Sequence, residues 1–215
     1  MEDYNQFPQD GEEIPAVPED ETEQEEQEEQ ETPRRPGAEL YDWLQMFLGC
    51  VVAAVVLFNC VARLTRVDGG SMDTTLQHGE IMLIWSLGYT PKQGDIVVLN
   101  KTSVLLPDWT EPRAIVKRVI ATGGQTVDVD YSTGTVYVDG QALDEPYLHE
   151  EMRRPGAPSM QETHWEVPEG SIFVMGDNRN HSTDSRDDLL GTIDTDYILG
   201  KAVLALWPPE RFGTV

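Results

Sequence analysis

The sequence predicts an all-β domain carried behind one N-terminal transmembrane helix and a disordered acidic tail. Three observations predict it: an acidic opening poor in large apolar residues, one apolar run of membrane-crossing length, and then a series of short β-branched segments separated by turn residues. Residues 1–31 hold fourteen Asp and Glu and no Lys or Arg. Such a stretch cannot bury enough surface to offset the entropy of ordering, so residues 1–38 read as a solvated tail. From Trp43 to Ala62 the chain is almost continuously apolar, interrupted by Gln45 and Asn59. Twenty helical residues cover about 30 Å, the thickness of bilayer hydrocarbon, and residues 39–66 are assigned to this helix and its flanks. The acidic stretch ahead of it and the lack of a clear small-residue cleavage site argue against a cleaved signal peptide.

Residues 67–215 read as the β-rich domain. Glu80–Trp85, Asp95–Asn100, Ala114–Thr122, Thr126–Asp130, Thr135–Asp139, Ser171–Met175 and Lys201–Leu206 are short, β-branched or apolar, and bounded by Gly, Pro, Asp or Asn. Ser132-Thr133-Gly134 is expected to turn one hairpin, and Asp139-Gly140 to turn the chain after the next strand. The segment from Asp144 to Glu166 is expected to be a surface excursion.

Composition excludes several classes of function. The formal charge is −24, and residues 68–215 hold twenty-three acids against eleven bases. No basic stripe is present to neutralise phosphates, so nucleic acid is not an expected partner. Cys50 and Cys60 both fall in the apolar segment, which leaves the β domain without a disulfide framework or a cysteine metal site. His78, His149, His164 and His181 lack ligand spacing. Neither a metal nor a cofactor is expected.

The chemistry centres on Ser71 and Lys117. Ser71 follows Gly69-Gly70, where the backbone can turn tightly and approach a substrate. Lys117 lies in the apolar run Ala114-Ile115-Val116-Lys117-Arg118-Val119-Ile120, and on a strand Ile115, Lys117 and Val119 share one face. A serine nucleophile needs a base, and a lysine serves as one where burial lowers its pKa. Taken singly, each residue has a plainer reading: a glycine-flanked Ser is commonly a turn residue, and a lone Lys on an apolar face commonly snorkels to water. Lys201, in Gly200-Lys201-Ala202-Val203, is a rival base on the same grounds. Arg118 alternates to the opposite face and is expected to form a structural ion pair. His181, Ser182 and Asp184 invite a Ser/His/Asp reading, but such triads assemble in space rather than along the chain. Met72, Leu76, Ile115 and Val116 flank the two groups and either line shallow substrate pockets or belong to the core.

Four motifs carry a resemblance: Ser71-Met72-Asp73-Thr74-Thr75-Leu76, Gly94-Asp95-Ile96-Val97-Val98, Lys117-Arg118-Val119-Ile120, and Gly176-Asp177-Asn178-Arg179-Asn180-His181-Ser182-Thr183-Asp184-Ser185-Arg186. Together with the apolar segment they make the chain, from that segment to about Trp207, similar to the type I signal peptidases in their Gram-positive-like form. Thr74 stands where that family usually has proline, and the lysine motif departs from the family after Ile120. The resemblance implies a signal-peptidase-like all-β catalytic domain, a membrane-anchored serine endopeptidase with Ser71 as nucleophile and Lys117 as base. It also implies that the Ser182 hydroxyl orients the lysine, with Asp184 and Arg186 as a supporting pair. The implied substrates are signal peptides of exported preproteins with small residues before the cut, and the implied partners are the lipid bilayer and the secretion machinery. Arg34 and Arg35 before the helix balance Arg63 and Arg66 after it. The resemblance therefore sets the orientation: single-pass in the cell membrane, N-terminus cytoplasmic, catalytic domain extracytoplasmic. Two other readings remain open, a self-cleaving Ser/Lys protein and a catalytically silent membrane-anchored β-module.

Overall fold

The computed structural model describes residues 37–100 and 114–215, so positions 1–36 of the expected tail lie outside the described residues. The chain falls into two units, Met1–Phe47 and Leu48–Val215. Helix α1 runs from Ala38 to Val56 and widens into a π-helical turn, Leu57–Val61. Glu39–Asn59 is long and apolar enough to cross a membrane, with a mean hydropathy of 1.8 and no part buried within the protein. Asn59, a polar residue in this run, donates from Nδ2 to the carbonyl of Val55 at 2.8 Å, which satisfies its amide locally. Arg63 in turn donates to the carbonyl of Asn59, a cation placed at the negative end of the helix dipole.

The second unit holds the strands. In chain order they are β1 (Ala62–Arg66), β2 (Ile81–Trp85), β3 (Ile96–Leu99), β4 (Ile115–Thr122), β5 (Thr126–Asp130) and β6 (Thr135–Val138). There follow β7 (Gln141–Ala142), β8 (His164–Glu166), β9 (Ser171–Met175), β10 (Ile193–Asp194), β11 (Ile198–Trp207) and β12 (Gly213–Thr214). Among the described residues they form two antiparallel sheets. The larger has the order β1-β2-β11-β3-β4-β9-β10, with β12 added to β11; the smaller has the order β7-β6-β5-β8.

Each of the seven expected segments contains a strand. Asp139 and Gly140 make the expected turn between β6 and β7, both with positive φ (51° and 75°), as a two-residue hairpin turn of matching twist requires. Five strands were not expected: the two-residue β7, β10 and β12, and β1 and β8. Ala62, read as the end of the helix, instead opens β1, because Ala62–Arg66 finds a partner in Ile81–Trp85. Within the Asp144–Glu166 excursion, His164–Glu166 pairs with Thr126–Asp128. Trp165 anchors that strand against Phe173, with ring centroids 5.0 Å apart.

Three apolar clusters hold the sheets. One joins Val127, Val129, Val136 and Val138 of the small sheet to Ile120, Phe173 and Met175 of the large one. The other two lie on opposite faces of the large sheet: Met72, Leu76, Met82, Ile84 and Val116 meet on one, and Val97, Leu99, Val119, Ile172 and Ile193 on the other. Strand β4 is thus packed on both sides, and this is what buries the lysine it carries.

Candidate active site

Three segments converge. The first is the loop Val67–Glu80, whose ends are tied by Val67 N–H donating to Glu80 O at 2.8 Å and Gly79 N–H to Val67 O at 2.9 Å. The second is β4, and the third is the turn after β9 that carries Gly176 to Arg186. The loop presents Ser71. Gly69 sits at φ +98, a backbone conformation that costs little only without a Cβ. The third segment grips the loop from one side. Asn178 donates from its backbone to Ser71 O and from Nδ2 to Gly70 O, both at 3.0 Å, and Thr75 Oγ1 donates to Asp177 Oδ2 at 2.5 Å. A Cβ on Gly176 would collide with Ser182 Oγ and stand 2.5 Å from Ser71 O, so the close approach of these segments depends on glycine there.

Lys117 Nζ lies 2.7 Å from Ser71 Oγ and donates to Val116 O at 3.2 Å. The residue is 3% exposed. Burial pushes its pKa down from the usual 10.5 to about 8, while the charges of Asp184 and Asp177 pull upward and that of Arg186 downward. A pKa of 8 leaves about one-tenth of the amine neutral at pH 7.

The two carboxylates nearest the lysine are each bound elsewhere. Asp184 and Arg186 are fully buried and joined by two bonds, Nε to Oδ1 at 2.8 Å and Nη2 to Oδ2 at 2.9 Å. Burial raises the Asp184 carboxyl, but Arg186 and the Gly176 N–H outweigh it and hold it below the carboxylate range. Asp177 is clamped by Arg118 through Nε at 2.8 Å and Nη2 at 2.7 Å. The Arg118 guanidinium also covers the Tyr147 ring at 3.9 Å, so the ion pair expected of Arg118 has Asp177 as its partner. Lys201, the rival base, is bound to Asp95 Oδ1 at 2.6 Å and lies apart from Ser71.

The remaining candidates are placed as follows. Ser182 Oγ is buried and has no hydrogen bond of good geometry among the described residues, although it lies close enough to Asp184 to help keep that carboxyl low. Ile115 and Val116 line a cleft of about 250 Å³ together with Gly70, Ser71, Lys117 and His181. Met72 and Leu76 do not line it; at 1% and 0% exposure they are core residues beneath the loop. Thr74 adopts φ +93, which a proline ring does not permit, so the loop here follows a path of its own. The gripping roles of Thr75 and Asn178 were not visible in the sequence, because Gly176-Asp177-Asn178 also reads as an ordinary polar turn.

Burial of Lys117 has a thermodynamic signature. With a folded pKa near 8 and an unfolded value of 10.5, the folded state binds fewer protons between those pH values, so stability rises with pH across that window. Below pH 8 the cost is on the order of 3 kcal/mol. Lys117→Met, similar in length and uncharged, is therefore expected to melt higher than the parent at pH 7. The gap should close as the pH is raised from 8 to 10.5; a gap independent of pH in thermal melts would count against the assigned burial cost.

Comparison with known proteins places these residues in a shared frame. The family described as signal peptidase, peptidase S26 matches residues 40–207. The chain is 34% identical over 174 residues to a probable signal peptidase I-1 of Synechocystis, covering 79% of this chain and 84% of the relative. It is 34% identical to a signal peptidase I of Bacillus licheniformis over 79% of this chain and 89% of the relative. With a signal peptidase IB of Staphylococcus aureus it shares 33% identity over 81% of this chain and 93% of the relative.

Proposed function

The chain belongs to the signal peptidase family, peptidase S26, and from that premise we propose that it cuts signal peptides from exported preproteins by a Ser71/Lys117 acyl-enzyme mechanism. The observation that carries the mechanism is the 2.7 Å contact between Ser71 Oγ and a lysine amine that is 3% exposed. Neutral Lys117 takes the proton from Oγ as it attacks the scissile carbonyl, then delivers it to the departing amine. Water, deprotonated by the same amine, hydrolyses the ester. The oxyanion is held by the Ser71 N–H. The Ser182 hydroxyl, buried and with no hydrogen-bond partner among the described residues, is free to turn toward the amine and orient it, with the Asp184–Arg186 pair supporting the turn that carries it.

The substrate enters as an added strand. Strand β3 pairs with β4 from Ile115 to Arg118, while β9 takes up pairing on the other edge only from Arg118 onward. Among the described residues, the β9-side edge of Ile115–Lys117 therefore lacks a strand, and it lies beside the cleft. An extended peptide can pair there, with Ile115 and Val116 shaping subsites that suit small side chains. The helix Ala38–Val56 anchors the enzyme, with the N-terminus cytoplasmic and the β domain on the far side, where signal peptides emerge from the secretion machinery.

Detergent-solubilised protein incubated with a preprotein should release the mature chain. Ser71→Ala, Lys117→Ala and Lys117→Arg should each abolish the cut, since guanidinium does not deprotonate in a useful range. The acidic limb of kcat/KM should fall near pH 8, reporting the free enzyme's base. Turnover by any of the three variants overturns the dyad.

Two neighbouring serines separate orientation from structure. Ser182→Ala should lower kcat more than KM, by about tenfold or more. Ser185→Ala should instead lower Tm with kcat retained, because its buried Oγ accepts the Val174 N–H at 2.9 Å. The reverse pattern sinks the role given to Ser182.

Orientation is read by protease added outside intact cells, which should digest the domain after Arg66 and spare the acidic tail. Digestion of the tail alone would place Ser71 in the cytoplasm, away from translocated substrates.

A further inference from the structure

The nucleophile loop is gripped on a second side, by a residue beyond the stretch that the family pattern covers. That pattern ends at residue 207, and Arg211 follows it on a 3-10 turn, Pro209–Arg211. Arg211 Nη2 donates to the carbonyls of Thr75 at 2.9 Å and Thr74 at 3.3 Å. Its Nε donates to Glu80 Oε1 at 2.8 Å. Glu80 is 2% exposed, and its other carboxylate oxygen has no hydrogen-bond partner among the described residues. Arg211 thus joins the middle of the loop to its closing end. The segment that carries it is itself fastened, since β12 pairs with β11 and Val215 packs on the cluster containing Met72 and Leu76.

The loop needs such a restraint. Thr74, with φ +93, occupies a region that non-glycine residues hold only when their surroundings enforce it. It is three residues from Ser71, in a turn where Leu76 N–H donates to Met72 O at 2.9 Å. Relaxation at Thr74 would shift that turn and carry Oγ away from the amine. A displacement of about 1 Å in a reacting group is enough to cost orders of magnitude in rate.

We propose that Arg211 is a positioning residue for the nucleophile: by holding the Thr74 and Thr75 carbonyls against buried Glu80, it keeps Ser71 Oγ within reach of Lys117. The proposal rests on the Ser71/Lys117 reading. Arg211 does not approach the cleft, so its loss should spare substrate affinity and the pH limb set by Lys117.

The test uses the full chain in detergent with a preprotein substrate, comparing the parent with Arg211→Gln, Arg211→Lys, Glu80→Gln and the double Glu80→Gln/Arg211→Gln. The double variant avoids leaving a buried carboxylate uncompensated, which could itself unfold the loop. Expected are a fall in kcat of about tenfold or more for Arg211→Gln and for the double variant, with KM within about twofold and the acidic limb unmoved. Arg211→Lys should recover part of the loss, and Glu80→Gln, which keeps the bonds to both carbonyls, should lose less than Arg211→Gln. Equal kcat in the parent and the folded double variant overturns the proposal, as does a loss confined to Tm. Failure of the underlying reading looks different: the parent does not cut, or Ser71→Ala still does.

Discussion

Everything around the site follows from placing a lysine amine in hydrocarbon against a serine hydroxyl. An ammonium at Lys117, 3% exposed, gives up its hydration, and that cost appears as a pKa lowered to about 8. Carboxylates stand nearby all the same, and both raise the lysine pKa. Their influence is limited because each belongs to an arginine: Asp184 is bound in two places by Arg186, and Asp177 by Arg118. Without those arginines, two buried carboxylates would favour the charged amine. Burial is thus the main cause of the lowered lysine pKa, and Arg186 adds to it in the same direction.

A neutral amine alone does not make a base, because it must also be held at hydrogen-bond distance from its proton donor. Strand β4 supplies one half of that geometry rigidly, being paired with β3 and β9 and packed on both faces. The serine half rests on a loop, and loops drift unless tied. Here the ties come from opposite sides: Asn178 and Asp177 on Gly70, Ser71 and Thr75, and Arg211 on Thr74 and Thr75. Apolar packing of Met72 and Leu76 sets the floor. That is why these two residues, one and five positions after Ser71, belong to the core and not to the cleft.

What the sequence revealed follows the reach of each signal. Strands such as β4 and β5 were legible because alternating or continuous β-branched residues record burial locally. Strand β1 was not, since Ala62 continues the apolar run of the helix and only its partner Trp85 shows that the chain has changed course. Strand β8 is three residues long and polar at both ends, so Trp165 was its sole signal. In the site, Ser71 and Lys117 stood out because they fall in motifs that occur together in a set order, while each alone has a plainer reading. The grip of Asn178 spans 108 residues, that of Arg211 on Thr75 spans 136, and neither has a local pattern.

The sheet also shows why sequence could not choose between the two candidate lysines. Lys117 and Lys201 both pair with Val97, one from β4 and the other from β11. Directly opposed residues of antiparallel strands share a face, so the two ammonium-bearing stems leave the same rung in the same direction, about 10 Å apart across β3. Asp95 lies just before β3, two residues from Val97, and its carboxylate is 2.6 Å from Lys201. Burial pushes the Asp95 carboxyl up, but Lys201 and the Tyr89 hydroxyl draw it below its ordinary value, which keeps a full negative charge beside Lys201. Among the described residues Lys117 meets no such carboxylate at ion-pair distance, only a hydroxyl and a carbonyl. Strand pairing and residue type are the same for both; they differ in burial, with Lys117 3% exposed and the Lys201 side chain 37%, and in partner, a hydroxyl for one and a carboxylate for the other.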